Sequence, residues 1–195
     1  MGVAQKSSKR LLVMKIGIDI SQIVYEGTGV ARHVRYIVKT LLSIDQSNEY
    51  VLFGSSLRKK SILNSFVKEM QQLHPRVIGK IISLPPTMLD CLWNILHIIP
   101  ITRIIGHVDI FWSSDWTQPP LGTAKGVTTI HDLSFLKYPK QTDKRIIAVH
   151  NRRLKHALKE CSMFFCVSES TKKDVMELYT MTSQKLSVVY PGGIW

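Results

Sequence analysis

Residues 127–135 read Val-Thr-Thr-Ile-His-Asp-Leu-Ser-Phe. The run begins with four apolar or β-branched residues, a pattern typical of a strand buried on both faces of a parallel sheet. His131 and Asp132 come directly after this strand. In open α/β sheets the ligand crevice lies at the carboxyl ends of the strands. Two interpretations stay open: a hydrogen-bonding or proton-transfer pair that faces a cleft, and a capped strand end with a solvated Asp132.

Short β-type runs of the same kind recur along the chain and alternate with helical patterns. We predict seven strands, at residues 11–20, 50–53, 77–84, 108–112, 126–130, 163–167 and 186–190. Strands that alternate with helices, without internal repeats or low-complexity segments, indicate an α/β fold. The sequence therefore predicts a Rossmann-like, doubly wound parallel sheet of about seven strands.

The first strand is followed by a loop that ends in Gly27, Thr28 and Gly29, and then by an amphipathic helix. Glycines allow a ligand to approach the backbone closely, and a helix N-terminus attracts anions. This is the geometry of a phosphate-binding loop. It is not the dinucleotide fingerprint, because the third glycine is replaced by Arg32 and the loop begins too far beyond the strand.

Residues 87–105 form the most hydrophobic segment, and Asp90, Asn94 and His97 would share one stripe of a helix there. A membrane span is excluded, because Asp90 and Pro100 interrupt a run that needs about 20 apolar residues. Two interpretations remain. One is a helix packed inside the domain, and the other is a helix that dips into a membrane interface beside a basic surface.

Composition limits the class of partner. The 26 Lys and Arg residues against 14 Asp and Glu residues give a net charge of +12, which favours an anionic partner such as phosphates or an acidic membrane. A solvated basic surface is the alternative, with clusters at residues 58–60 and 152–155. No basic tail or interleaving of aromatic and basic residues favours nucleic acid.

The cysteine residues, the histidine residues and the N-terminal arm indicate a protein with reduced thiols and no bound metal. Three cysteines in apolar surroundings, Cys91, Cys161 and Cys166, indicate buried reduced thiols. The seven His residues show no metal-ligand spacing, so we expect no metal. Residues 1–10 are polar and basic, which we interpret as a disordered arm and not a signal peptide.

Four segments in order resemble the N-terminal half of the retaining glycosyltransferases of family 4, which have the two-domain GT-B fold. They are IGIDIS with GTGVARHVRYIVKTLL (residues 16–42), VTTIHDLSFLKYP (127–139), CVSESTKKDVMELY (166–179) and KLSVVYPGG (185–193). The resemblance is closest to mannosyltransferase-like members that build cell-surface polysaccharide. It implies that residues 11–190 are the acceptor-side domain and that residues 191–195 begin the linker to a donor domain.

The resemblance also implies roles for particular residues. His131, with Asp132 beside it, is placed at the catalytic position. Gly27, Thr28 and Gly29 correspond to the loop that approaches the donor diphosphate. Weaker acceptor-side candidates lie at other strand ends: Asp115, Ser168 and Glu169. Transfer would use a nucleotide-sugar as co-substrate and neither a metal nor another cofactor.

The expected activity is transfer of a hexose to a glycan or lipid-linked acceptor, at the cytoplasmic side of a membrane and peripheral to it. The C-terminal donor domain of the family is absent from these 195 residues. We therefore expect a chain that is inactive alone and needs a separate donor domain, whether it is a gene fragment, a truncated form or part of a split enzyme. The alternative function is a non-catalytic module that binds an anionic lipid, a glycan or a protein.

Overall fold

The computed structural model describes residues 13–191, which form one seven-stranded parallel sheet. Its strands are β1 (Lys15–Asp19), β2 (Glu49–Ser55), β3 (Val77–Ile82), β4 (Ile110–Ser113), β5 (Lys125–Ile130), β6 (Cys161–Cys166) and β7 (Leu186–Val188). They lie in the order β3-β2-β1-β4-β5-β6-β7. This confirms the predicted fold class of a Rossmann-like, doubly wound sheet. The predicted arm at residues 1–10 lies outside the described residues, as does the predicted linker after Pro191.

The longer helices are α1 (Gly29–Ile44), α2 (Lys60–Leu73), α6 (Lys144–Glu160) and α7 (Glu169–Tyr179). Shorter ones are α3 (Pro86–Leu89), α4 (Ile101–Ile105) and α5 (Ser134–Lys137), and a π-helical turn (Asp90–Ile95) continues α3. Helices cover both faces of the sheet. In β2, Tyr50 and Leu52 pack with α1 and α2, whereas the alternate residues Val51 and Phe53 pack with Trp93 on the other face.

The carboxyl ends of β1, β4 and β5 meet at the centre of one sheet edge. Strands β2 and β3 extend the sheet to one side of β1, and β4 to β7 extend it to the other. The winding direction therefore reverses between β1 and β4. In a doubly wound sheet this switch point leaves a crevice between the diverging connections, and ligands bind there.

The predicted helix at residues 87–105 is broken in the structure. The chain leaves the helical path after Ile95, and both His97 (φ 51°) and Ile99 (φ 61°) adopt the left-handed region. The predicted polar stripe does face the interior of the domain. Asp90 pairs with Arg152 of α6 at 2.6 Å, and His97 Nε2 lies 2.5 Å from Glu160 Oε1.

One local prediction is wrong. Cys91 is exposed, because it lies on the outer side of the π-helical turn, whereas Cys161 and Cys166 are buried as predicted. Ser168 caps α7 and accepts a hydrogen bond from the Thr171 amide at 3.1 Å, so Asp174 takes no part in the cap. Asp174 instead pairs with Lys137 at 2.8 Å.

Candidate functional site

A cavity of about 330 Å³ opens at the carboxyl edge of β4 and β5. We call it the outer cavity. Its polar lining includes three residues singled out from the sequence, Asp115, His131 and Asp132, and two that were not, His150 and Arg153. The strand-end argument thus correctly brought Asp115 and His131 together, because β4 and β5 are neighbours in the sheet.

His131 lies at the rim between the sheet and α1. Burial lowers the pKa of its imidazole, and the positive charge of Arg153 acts in the same direction, while the Asp115 carboxylate opposes both. The ring is therefore neutral at neutral pH and can both donate and accept a hydrogen bond. The backbone carbonyl of His131 accepts a hydrogen bond from the Thr171 hydroxyl at 3.2 Å, which fixes the strand end.

Arg153 of α6 is buried and connects the two strands below the cavity. Its guanidinium donates to the backbone oxygens of Ser114 (2.9 Å) and Thr129 (3.3 Å) and to the hydroxyl of Thr128. Burial lowers the pKa of the guanidinium, and Asp115 partly opposes this effect. One of the residues in the supposed solvated cluster 152–155 is therefore an interior cation that places positive charge beside the cavity.

Aromatic rings surround His150 on the α6 side of the outer cavity. The His150 ring stacks on Phe135 with centroids 5.0 Å apart, and the Trp116 ring meets it edge-on at 5.3 Å. Burial lowers the pKa of His150 as well. The cavity thus combines apolar ring surfaces with a few polar groups, an arrangement typical of sites for small organic ligands.

The two carboxylates at the site differ in what they are free to do. Asp132 Oδ1 accepts hydrogen bonds from the amide (2.9 Å) and the hydroxyl of Ser134, so it holds the first turn of α5. Asp115 Oδ1 is buried and has no hydrogen-bond partner among the described residues. Asp115 is therefore the carboxylate with unused acceptor capacity at the cavity, and a ligand hydroxyl could supply the missing donor.

The glycine loop lies at the start of α1, beside the outer cavity. Thr28 caps this helix, because its hydroxyl accepts from the Ala31 amide at 3.2 Å and donates to the Tyr25 carbonyl at 2.8 Å. Gly27 has φ 84°, a conformation that favours glycine, and a side chain at Gly27 or Gly29 would meet nothing within 4 Å. The next residue, Val30, lines the outer cavity. The loop is therefore open to an incoming ligand.

Ser168 and Glu169 do not line the outer cavity. The Ser168 hydroxyl is occupied as the cap of α7, and it touches the site only through Thr171, which contacts the His131 carbonyl. Glu169 is exposed at the first position of the same helix. The structure gives neither residue a direct contact with the cavity.

A second, smaller cavity of about 20 Å³ lies behind His131, and we call it the inner cavity. Asp19 at the end of β1, His33 on α1, Asp115 and His131 all line it. The rings of His33 and His131 meet edge-on with centroids 5.0 Å apart. Both ring nitrogens of His33 and Asp19 Oδ2 are buried without a partner among the described residues.

Sequence reasoning missed three site residues, His33, His150 and Arg153. All three lie on helices, whereas the polar residues selected from the sequence follow the ends of strands. His150 and Arg153 are three positions apart on α6 and so share one face of the helix. A polar pair of this spacing next to the buried Leu154 is the signal that could have revealed them.

Within residues 13–191, no three His, Cys, Asp or Glu side chains are grouped so that they could hold a metal ion. The expectation that the reaction needs no metal stays a prediction. None of the helices in the same range is long and apolar enough to cross a membrane.

The fold and the site together define an α/β domain with a ligand cleft at the switch point of a parallel sheet. The model of the family described as Glycosyltransferase Family 4 matches residues 27–192. The chain therefore belongs to Glycosyltransferase Family 4. This match spans the glycine loop, His131 and α6, so all the elements that form the outer cavity lie within it.

Two further comparisons add little. The chain is similar to the crystal structure of a short-chain dehydrogenase from Oenococcus oeni PSU-1, with a TM-score of 0.39 and 14% sequence identity over 93% of this chain and 81% of that one. A TM-score at this level supports no inference about fold or function. No curated protein matches the sequence.

In the inner cavity the pKa of Asp19 is raised and that of His33 is lowered. The pH dependence of the free energy of unfolding tests both shifts. Burial raises the pKa of Asp19 above its ordinary value of 3.8, to about 6, so the folded chain holds a proton there that the unfolded chain releases. Stability from this residue falls as pH rises from about 4 to about 6. Burial lowers the pKa of His33 from 6.5 to about 4, so its contribution rises over nearly the same window.

We expect Asp19→Asn to remove the fall in stability with rising pH that Asp19 causes, and to keep the rise that His33 causes. Relative to the unsubstituted chain, the variant should gain stability between pH 4 and pH 7.5, by up to about 3 kcal/mol. Urea unfolding at both pH values measures this. Asp109→Asn is the control that should follow the parent chain, because a hydrogen bond from the Lys15 amide lowers the pKa of Asp109 and its contribution to stability changes mainly below about pH 4. If both variants follow the pH dependence of the parent chain, Asp19 is not a buried acid.

Proposed function

We propose that this chain is the acceptor-side domain of a retaining glycosyltransferase that moves a hexose, with mannose the first candidate, from a nucleotide-sugar to a glycan or lipid-linked acceptor. In this reaction the bond between the sugar's reacting carbon and the diphosphate breaks. A bond from that carbon to an acceptor hydroxyl oxygen forms, and the hydroxyl proton is released. The activity requires a separate donor domain that supplies the nucleotide-binding wall.

The observation that carries this proposal is the position of His131 and Asp115 beside the open glycine loop. His131 and Asp115 face one cavity, and Val30, the residue that follows Gly29, lines the same cavity. A sugar held over the cavity would thus lie between a hydrogen-bonding rim and a loop suited to a diphosphate. Family membership supports the same reading, because the matched range contains both features.

His131 has the properties of a residue that positions the sugar. A neutral imidazole can donate to one sugar hydroxyl and accept from another without adding a cation beside a carbon that becomes positive. Preorganised groups of this kind stabilise charge that develops in the transition state. We do not assign a general-base role to His131, because retention of configuration does not require one on this face of the sugar.

The acceptor would occupy the outer cavity on the α6 side. Its ring surfaces, Trp116, Phe135 and His150, suit the apolar faces of a sugar. Asp115 Oδ1 supplies a buried acceptor for the attacking hydroxyl. The family match does not favour the alternative of a non-catalytic binding module, and the same match gives no support to nucleic-acid binding.

The first functional prediction is that the 195-residue chain alone transfers no sugar. A side chain at Gly27 or Gly29 would meet nothing within 4 Å, so the glycine loop is uncovered and a donor gains few contacts from this chain. The purified chain should show neither product nor tight binding with a panel of nucleotide-sugars. Turnover by this chain alone would refute the need for a donor domain.

The second functional prediction concerns His131. It applies to an enzyme that is restored by fusing the chain to a family 4 donor domain or by adding that domain in trans. His131→Ala should lower kcat by about 10²-fold or more while changing donor Kd little, if the ring acts mainly in the transition state. Asp132→Asn should be milder, because Asp132 chiefly holds α5. The measurements are kcat and donor Kd for both variants.

Ser168→Ala is the matched control, since it removes a polar group of the same sheet edge that does not line the cavity. It should cost about 1 kcal/mol of stability and leave kcat near the parent value. Near-full turnover by His131→Ala would show that His131 is only a structural residue.

A lipid-linked acceptor would bring this domain to a membrane, and one surface suits that contact. We define the apolar surface as Ile95, Leu96, Ile98 and Ile99, all of which are exposed; Leu96 is 54% exposed. Its backbone includes Ile99 in the left-handed region, a conformation that is costly for a β-branched residue and is found more often at functional sites than elsewhere.

Charge supports an anionic bilayer as the occupant of the apolar surface. Lys155 and Lys159 are exposed on α6, next to His156 and Glu160, which contact the apolar surface segment through Asn94 and His97. The chain carries a net charge of +12. We infer a cytoplasmic protein that is peripheral at the inner membrane face, with apolar insertion and basic attraction acting together.

We expect the chain to sediment with vesicles that contain phosphatidylglycerol, and we expect added salt to weaken this association. Little of the chain should sediment with vesicles of phosphatidylcholine alone. Lys and Arg residues near such a surface contribute roughly 1 kcal/mol each. Leu96→Asp should weaken binding at least tenfold. Ile44→Asp is the control, because Ile44 is 74% exposed at the far end of α1. Equal binding to both vesicle types would rule out an anionic membrane surface as the partner.

A further inference from the structure

The inner cavity contains two buried polar residues that the proposed transfer reaction does not use, Asp19 and His33, and it is also lined by Asp115, whose Oδ1 that reaction does use. Asp19 and His33 are 3% and 5% exposed, and Asp115 Oδ1 is buried as well. Buried polar atoms of folded proteins nearly always have hydrogen-bond partners, because leaving one unpaired is unfavourable. Three such residues that line one cavity therefore call for a common partner.

The size of the inner cavity determines what this partner can be. A volume of about 20 Å³ admits a single water molecule and nothing larger. Buried waters typically make about three hydrogen bonds to groups that would otherwise be unpaired. One water can donate to the two carboxylates, Asp19 and Asp115, and accept from the ring N–H of a neutral His33.

The inner cavity also adjoins the proposed reaction site. Asp115 and His131 line both the inner and the outer cavity. The His33 ring packs edge-on against the His131 ring at 5.0 Å. A group that fixes the ring of His33 and the carboxylate of Asp115 therefore fixes two of the surfaces that surround His131.

We propose that Asp19, His33 and Asp115 bind one water molecule in the inner cavity, and that this group holds His131 in orientation for the sugar. Asp19 and His33 are thus positioning residues. The role of His131 rests on the proposed function. The water site does not, and it can be tested on this chain alone.

Several charged or titratable groups face this cluster from the elements packed around it. Around the inner cavity they are Asp19 from β1, His33 from α1, Asp115 after β4, and His131 after β5. Asp132, His150 and Arg153 lie on the outer side. Of these, Asp115 acts on the pKa values of Asp19, His33 and His131 together, so it couples the titrations of the cluster.

The experiment is an NMR titration of the isotope-labelled 195-residue chain between pH 4.5 and 8. The Asp19 carboxyl carbon and the ring nitrogens of His33 and His131 are followed together. We expect the titration of Asp19 to appear in the His33 nitrogens at the same midpoint. We also expect a nuclear Overhauser contact between His33 and a water with a long residence time.

His33→Phe keeps an aromatic ring and removes both nitrogens. Loss of the water and its hydrogen bond should raise the pKa of Asp19 by about one unit, since a hydrogen bond donated to a carboxylate favours its charged form. The tautomer ratio or the ring nitrogen shifts of His131 should change as well. His33→Gln retains an N–H donor and should restore part of the Asp19 titration.

His74→Phe is the matched control. His74 is also buried, has a ring nitrogen without a described partner, and packs edge-on against Tyr50 at 5.4 Å, but it does not line the inner cavity. It should leave Asp19 and His131 unchanged. An unshifted Asp19 in folded His33→Phe, or an equal shift in His74→Phe, would overturn the water site, and loss of transfer activity alone would not.

Discussion

The buried guanidinium of Arg153 is the interaction on which the geometry of the site depends. An interior cation is costly unless its donors are paired, and Nη2 of Arg153 contacts three acceptors, whereas its buried Nε has no partner among the described residues. These acceptors belong to Ser114, Thr128 and Thr129, at the carboxyl ends of β4 and β5. The residues that face the cavities, Asp115 and His131, come one or two positions later. Their placement is therefore a consequence of how α6 is fixed over the sheet.

The same cation contributes to the electrostatics of the site. Burial disfavours protonation of His131 and His150, and Arg153 acts in the same direction. Asp115 opposes Arg153 at both rings, so its carboxylate is the main local counter-charge. The result is a cleft with neutral imidazoles between one fixed cation and one fixed anion. Such a cleft can bind an uncharged, hydroxyl-rich ligand without burying a further unpaired charge.

The sequence predicted the sheet well, because strands of a parallel sheet are buried on both faces and read as continuous apolar runs. It also placed Asp115 and His131 together, since both follow neighbouring strands. It could not decide whether the side chains of Asp132 and Ser168 line a cavity or cap the helix that follows. Both choices satisfy the same local pattern, and only the path of the following helix shows that these side chains bond to backbone amides.

Residues on helices were harder to place for a different reason. Whether His33 or Arg153 faces solvent or the interior depends on how α1 and α6 pack, and their local sequence is basic and amphipathic in both cases. The break at residues 96–100 has the same origin. His97 is held by Glu160, and the Ile99 carbonyl accepts from the indole of Trp93 at 3.1 Å, so tertiary contacts stabilise a backbone that local propensity disfavours.

Under the proposed function, the glycine loop explains why sugar transfer would require a second wall over this domain. Its amides lie at the start of α1, where a diphosphate would gain from the helix dipole. Gly27 and Gly29 face open space, so water competes for the same donors. Hydrogen bonds to a developing negative charge are strong only when water is excluded and the donors are fixed in advance. A donor domain closing over this loop would supply that exclusion, whereas Asp115 and His131 at the rim are already half-buried.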